Sequence, residues 1–114
     1  MSLGKRIAAK RKSNRKCFEV DEWGEDDAPL IVYSGILTCG DVDKLQRKHP
    51  GFMSNPTIAA MVDLIIMKAE DKDGEKLFTL EDKPFLMRES VNVISSVAGQ
   101  MFSSVESSEA AGND

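Results

Sequence analysis

His49 is the only histidine of the chain, and its sequence context limits the catalysis that it can support. A Ser-His-Asp or Cys-His site needs the imidazole beside a nucleophile and an orienting acid. His49 lies in the sequence Lys48-His49-Pro50-Gly51, which is typical of a solvent-exposed turn. Neighbouring carboxylates are expected by chance among 19 acidic residues, and they cluster in short runs typical of turns. The sequence therefore predicts a solvated loop histidine and no enzyme active site.

The segment Asp71–Gly74 resembles part of a calcium-binding loop. An EF-hand would place an acid at position 69 and a bidentate Glu at position 80, where this chain has Ala69 and Leu80. A tight turn that uses Asp and Gly for their backbone tolerance explains the same residues. Zinc-ligand spacing, a Walker loop and a dinucleotide-binding glycine motif are all missing from the sequence. We predict no metal and no cofactor.

The two cysteines, Cys17 and Cys39, form neither a CxxC pair nor part of a Cys/His cluster. Reduced thiols, buried or half-buried, are the favoured interpretation. A disulfide between them stays open at this point, because two strands can bring them together.

The charge is divided unevenly along the chain. Of 15 basic residues, seven lie in residues 1–16 with no acid among them, so the remainder has eight basic against 19 acidic residues and a net charge of −11. We predict a basic, flexible arm over residues 1–16 on an acidic body that repels phosphate. The arm lacks the aromatic residues on which single-stranded nucleic acids stack, which favours a docking or solubilising role. Nucleic-acid binding through the arm is the alternative.

Two strands and a short helix are predicted first. Alternating apolar residues over Cys17–Trp23 indicate a strand, Gly24–Pro29 a turn, and Leu30–Leu37 the second strand of a β-hairpin. Asp41 is a plausible N-cap for a short polar helix, Val42–Lys48.

Two longer apolar helices follow. Asn55 as a cap and Pro56 at the first position predict a helix over Pro56–Glu70, apolar almost all round and too short to span a bilayer. Thr79-x-x-Asp82 resembles a capping box at the start of a long amphipathic helix, about Leu80–Val105. The predicted fold is α+β and mainly α-helical: one domain over residues 17–105, with the N-terminal hairpin packed on about three helices, and a flexible polar tail over 106–114.

The two long helices carry more apolar surface than a hairpin and one short helix can cover, which predicts a homo-oligomer. The alternative is a self-sufficient monomer, with the hairpin on one side of the Pro56–Glu70 helix and the last helix on the other. The residues predicted to mediate self-association or client binding are Ile58, Met61, Ile65, Met87, Val91, Ile94 and Met101.

Three of these features together resemble a known family. A hairpin carrying Glu22-Trp23-Gly24, an apolar helix after Asn55-Pro56, and the run Asp73–Asp82 (DGEKLFTLED) before a closing amphipathic helix are similar to the tail assembly chaperones of long-tailed, non-contractile-tail bacteriophages. The resemblance covers roughly residues 17–105 and leaves out the basic arm.

The resemblance implies a non-enzymatic viral protein of the host cytoplasm that is absent from the mature virion. Such chaperones bind the tape measure protein and keep it soluble until the tail-tube protein polymerises around it. They also self-associate, and a frameshift-extended form of the same chain and the major tail protein are further implied partners. No membrane partner is implied.

Overall fold

The computed structural model describes residues 2–12 and 15–112, and the side chains of 2–10 and 15–102. The architecture is α+β and mainly helical, as predicted: an antiparallel hairpin packs on helices from the rest of the chain. Two short helices, one before the hairpin and one before the last helix, add to the three predicted ones. The elements are α1 (Leu3–Lys12), β1 (Arg15–Glu25), β2 (Ala28–Gly35), α2 (Cys39–Lys48), α3 (Ile58–Lys68), α4 (Lys83–Leu86) and α5 (Val91–Gly112).

The hairpin has one apolar face because side chains alternate along each strand. Phe18 pairs with Val32, and both side chains are buried against the helices, as is Val20. The register shifts between Val20 and Glu25, next to a turn in which Asp26 has a φ of 54°. Both strands were predicted, but each begins two residues earlier than the alternation alone indicated.

Most of the segment predicted as a basic, flexible arm, residues 1–16, has regular secondary structure: Leu3–Lys12 form α1, and Arg15 belongs to β1. Arg15 is held by an ion pair to Glu70 at 3.0 Å. Its guanidinium also donates to the carbonyl oxygens of Asp71 and Lys72 and lies 4.9 Å from the centre of the Tyr33 ring. These partners lie more than 15 residues away in sequence, so the local pattern gives no sign of them.

The helices that follow the hairpin begin at threonines. Thr38 caps α2: its Oγ1 accepts from the Asp41 N–H at 3.1 Å, and the Asp41 carboxylate accepts from the Thr38 N–H at 3.0 Å. Thr57 caps α3 by accepting from the Ala60 N–H at 3.1 Å. The predictions of Asp41 and Asn55 as N-caps are therefore wrong. Thr38, which precedes Asp41, and Thr57, which follows Asn55, supply the hydroxyl that accepts from a free N–H group of the first turn.

The α3 helix forms the centre of the core. The hairpin covers one side and α5 the other, and α3 ends at Lys68 because Glu70 exchanges two 2.8 Å backbone hydrogen bonds with Tyr33. The Phe52 and Phe102 rings stack at 5.3 Å between centroids. The buried apolar residues of α3 are Ala60, Val62, Leu64, Ile65 and Ile66.

The continuous helix predicted over Leu80–Val105 is wrong, because its first turn is a 3₁₀ turn and residues 87–90 interrupt the helix. The Thr79-x-x-Asp82 cap is present, with the Thr79 N–H donating to Asp82 Oδ2 at 2.8 Å, but it starts a single 3₁₀ turn, Leu80–Asp82, before α4. α5 begins only after Ser90, whose Oγ accepts from the Asn92 N–H at 3.2 Å. α5 then continues to Gly112, so most of the predicted flexible tail over 106–114 is helical instead.

Candidate partner-binding surface

The described residue whose surroundings most resemble those of a catalytic group is Asp63 of α3, a buried carboxylate. Asp63 is 7% exposed; its Oδ2 lies 2.6 Å from His49 Nε2 and 3.3 Å from Lys48 Nζ, and its Oδ1 lies 2.9 Å from Lys83 Nζ. Burial alone raises the pKa of this carboxyl, but the hydrogen bond from His49 and the charges of Lys83 and Lys48 outweigh burial and hold the pKa below its usual value. We call these four residues the Asp63 cluster.

The Asp63 cluster corrects the prediction for His49, which is half-buried and bonded and is not a solvated loop residue. Its ring is drawn inward by Asp63, and its backbone N–H donates to the Leu45 carbonyl at the end of α2 at 2.7 Å. The cluster consists of one acid and three bases, whereas nucleophilic catalysis needs a hydroxyl or thiol beside the imidazole. It therefore joins α2, α3 and α4 electrostatically.

The Asp71–Gly74 segment is a tight turn. Asp71 Oδ1 accepts from the N–H groups of Asp73 and Glu75 at 2.8 and 3.0 Å, and Gly74 has a φ of 86°, which favours glycine. Arg15 already occupies the carbonyl oxygens of residues 71 and 72, as described above. Among the described residues, no group of His, Cys, Asp or Glu is arranged to hold a metal ion. The two cysteines are free and exposed, which corrects the prediction of buried thiols and shows no disulfide between them.

The residues predicted for self-association or client binding are divided between core and surface. Ile65, Ile94 and Met101 are fully buried, so their assignment to an interface is wrong: α3 and α5 cover each other within one subunit. Ile58 and Met61 are half-buried. Met87 and Val91 are exposed.

An exposed apolar surface surrounds the interruption between α4 and α5. Its members are Leu80, 71% exposed, Phe85, 67% exposed, and the predicted residues Met87 and Val91; we call them the 80–91 surface. Half of the eight large apolar side chains that are exposed in the described part of the chain lie within these twelve residues. Leu80 and Phe85 were not predicted as surface residues, because the helix predicted over Leu80–Val105 was continuous through both of them. Pro84 and the Glu89-Ser90 dipeptide were the available signals of a break.

Buried and bonded neighbours hold the 80–91 surface in place. Leu86 is buried beneath it, and Trp23 Nε1 donates to Glu89 Oε1 at 2.6 Å. The Trp23 ring meets Phe78 edge to face at 5.5 Å. Hydrogen bonds from the Ser90 N–H and then from Trp23 lower the pKa of Glu89. The Glu89 carboxylate is therefore ionised at neutral pH and accepts the hydrogen bond from Trp23. The surface is therefore pre-organised, which lowers the entropy cost of binding a partner.

The hairpin turn adds acidic charge to this part of the molecule. Glu22 lies beside Asn92 at the start of α5, and Glu25, Asp26 and Asp27 form the exposed turn after Trp23. The stretch 80–91 itself has mixed charge, with Glu81 and Glu89 beside Lys83 and Arg88.

The α1 helix lies at the other end of the hairpin. Leu3 and Ile7, one turn apart, are exposed, and Lys5 and Arg6 are exposed beside them. Ile7 lines an open cleft of about 770 Å³ together with Ile36 and Lys68 of the same subunit. The helix is thus basic and partly apolar, and it faces its own subunit across this cleft.

No protein-family model, curated protein or solved structure matches this chain significantly. Within the described part of the chain, no helix is both long and apolar enough to cross a membrane.

Proposed function

We propose that this chain is a non-enzymatic phage tail assembly chaperone, which binds the tape measure protein in the host cytoplasm and keeps it soluble for tail-tube polymerisation. The observation that carries the proposal is the 80–91 surface: exposed, apolar and held rigid by Trp23, Leu86 and Glu89. Together with the sequence resemblance, this surface supports binding of an apolar stripe on a helical client.

The physical requirements of such a chaperone agree with the charge of the body. A tape measure protein is a long, helix-rich chain whose apolar stripes aggregate when uncovered. An amphipathic helix binds by laying its apolar face on an apolar surface. The net charge of −11 over residues 17–114 makes a coated client repel other coated clients and stay soluble.

Co-expression with the tape measure protein from the same genome tests the proposal. The wild-type chain is expected to keep the client in the soluble fraction and to co-purify with it. Replacing both Leu80 and Phe85 by Ser should weaken binding by about a hundredfold or more, since burying each side chain contributes about 1.5–3 kcal/mol. Met53→Ser, at an exposed methionine outside the surface, is the matched control and should bind as wild type. Equal binding by the double variant and the control contradicts the proposal.

A second function, nucleic-acid binding through the N-terminal segment, is favoured by one observation: α1 presents exposed Lys5 and Arg6 on a helix. The appropriate deletion ends at residue 12, because Arg15 belongs to the sheet. A salt-sensitive gel shift that disappears with residues 1–12 supports this function. Sub-micromolar binding in physiological salt would replace the chaperone as the primary function.

A further inference from the structure

We propose that the outer edge of β1 binds an extended, basic segment of a partner protein as an additional strand of the sheet. The inference goes beyond the proposed function, because it concerns a surface other than the 80–91 surface and an extended partner instead of a helical one. It rests on three features: backbone groups of β1 that point away from β2, a groove between this edge and α5, and acidic side chains beside the edge.

The backbone hydrogen bonds of Tyr33 show which groups of β1 point outward. Tyr33 exchanges two 2.8 Å hydrogen bonds with Glu70, so its N–H and C=O point away from β1. Residues directly opposite each other in an antiparallel pair turn their backbone groups either toward each other or away from each other. Cys17 lies opposite Tyr33 and therefore directs its N–H and C=O away from β2. Glu19 does the same, because the pattern repeats at every second residue of this register.

The outward backbone groups of Cys17 and Glu19 are available to a partner. Within residues 2–12 and 15–112, no hydrogen bond joins these groups to another part of the chain. Both residues are exposed. Each offers one N–H donor and one C=O acceptor, so an added strand can form four main-chain hydrogen bonds with them. Extended peptides bind sheet edges in this way, and their alternate side chains supply the specificity.

A narrow groove separates this edge from α5. Its volume is about 90 Å³, and the residues that line it include Glu19, Val20 and Glu22 of β1 and the polar Asn92 and Ser96 of α5. An added strand would turn every second side chain toward this groove, because side chains alternate between the two faces of a sheet. Small hydroxyl side chains such as Thr or Ser match the size and the polarity of the groove.

The other face of the edge is acidic. Glu19 is exposed on the face opposite the buried Phe18 and Val20, and Asp21 and Glu22 follow it as exposed acids. Lys or Arg side chains on the outer face of an added strand would therefore lie beside opposite charge. The partner that fits both faces is an extended segment in which Lys or Arg alternates with Thr or Ser.

The same charges disfavour a second copy of β1 at this edge. Two β1 strands side by side would bring like charges together, which destabilises a strand pair. Charged side chains on edge strands commonly prevent such self-pairing. They attract a strand of opposite charge, however, and speed its encounter with the edge.

Nuclear magnetic resonance with a synthetic peptide tests the proposal without any client. The probe is acetyl-Thr-Lys-Thr-Arg-Thr-Lys-Thr-amide, added to the isotope-labelled full chain up to about 2 mM. In the free protein, the Cys17 and Glu19 amides should exchange rapidly with solvent, whereas those of Phe18 and Val20, which point to β2, should exchange slowly. The peptide should slow the exchange of the Cys17 and Glu19 amides and shift their signals.

Two N-methylated forms of the peptide provide a matched comparison. Peptide residues opposite Cys17 and Glu19 direct their N–H groups at β1 and their side chains to the acidic face, so these positions belong to Lys and Arg. Methylating two Lys or Arg backbone nitrogens should weaken binding by more than about tenfold, because hydrogen bonds to the edge are lost. Methylating two Thr nitrogens keeps the charge and composition of the peptide and should weaken binding far less.

Two substitutions of equal charge separate the edge from general electrostatic attraction. Glu19→Lys and Asp43→Lys each replace an exposed acid by a base, so both variants are expected to fold. Glu19→Lys should weaken peptide binding by roughly tenfold, whereas Asp43→Lys, on α2, should bind nearly as wild type. Replacing Leu80 and Phe85 by Ser should leave peptide binding unchanged, so failure of this inference and failure of the proposed function are distinguishable.

Four results would overturn the inference. The first is slow exchange of the Cys17 and Glu19 amides in the dilute free protein, which would mean that the edge is already covered. The second is the absence of peptide binding up to about 2 mM. The third is an equal loss of binding from the two methylated peptides or from the two charge variants. The fourth is protection of both amides that rises with protein concentration alone, which would make a second copy the occupant of the edge.

Discussion

Replacing Asp63 by Asn removes the charge that joins three helices and keeps the shape of the side chain. The three basic partners differ in how easily water can replace the carboxylate. Lys48 is 56% exposed and hydrates freely, so its contact contributes little. Lys83 is 28% exposed and His49 is half-buried, so each loses about 1 kcal/mol of charge-assisted hydrogen bonding. The expected loss is about 2 kcal/mol of unfolding free energy, or a melting temperature lower by about 8 °C for a domain of this size.

Urea denaturation followed by circular dichroism measures this loss. Asp43→Asn is the matched control, since its ion pair with Arg47 joins two exposed side chains and should cost less than about 0.5 kcal/mol. Lys83→Ala should destabilise more than Lys48→Ala, in the order of their burial. An Asp63→Asn variant as stable as Asp43→Asn would refute the assignment of the Asp63 cluster as a structural clamp.

The pH dependence of the same variants follows from the direction of the pKa shift. The folded state holds the pKa of Asp63 below its ordinary value of 3.8, so its stabilisation is complete above that pH and is lost as the pH falls through the lower folded-state pKa. The stability difference between wild type and Asp63→Asn should therefore shrink as the pH falls below about 4. A difference that instead grows as the pH falls below about 4 would contradict the sign of the shift.

Three further substitutions test the fold and the placement of the interface. Thr38→Ala should cost about 1 kcal/mol in urea denaturation, because the first turn of α2 loses its cap; a cost of zero would contradict the cap. Gly24→Ala should cost more than about 2 kcal/mol, since its Cβ would lie 2.0 Å from the Ala28 carbonyl oxygen; wild-type stability would mean that the hairpin turn has a different backbone. Ile94→Glu should lose its far-ultraviolet dichroism, because Ile94 belongs to the core; a folded monomer would restore Ile94 to an interface.

Local patterns in the sequence predicted the hairpin and α3 because both depend on short-range alternation or on a continuous apolar run. Apolar residues alternate with polar ones along β1, and this period of two predicts the burial of Phe18 and Val20. The α3 helix is apolar on almost every side, which predicts that it is buried whatever its position in the fold. Whether α3 is buried within its own subunit or against a second one depends on how the hairpin and α5 pack. The interface prediction failed for Ile65 and Ile94 for this reason.

The features that the sequence analysis missed depend on contacts between distant residues. The interruption before α5 includes a bond from Trp23 to Glu89, 66 residues later, and β1 begins at Arg15 because Glu70 lies opposite. His49 is half-buried because its ring bonds to Asp63, which belongs to the next helix along the chain. Neither residue spacing nor helix propensity predicts any of these partners. The exposure of Leu80 and Phe85 follows in turn from the interruption between α4 and α5.

Amide hydrogen exchange with and without the tape measure protein locates the client on this chain. We expect slower exchange of the amides over residues 80–91 when the client binds, and little change over α3, which its own subunit already covers. Exchange over residues 80–91 that is unchanged by a bound client would contradict the assignment of this surface as the client-binding site.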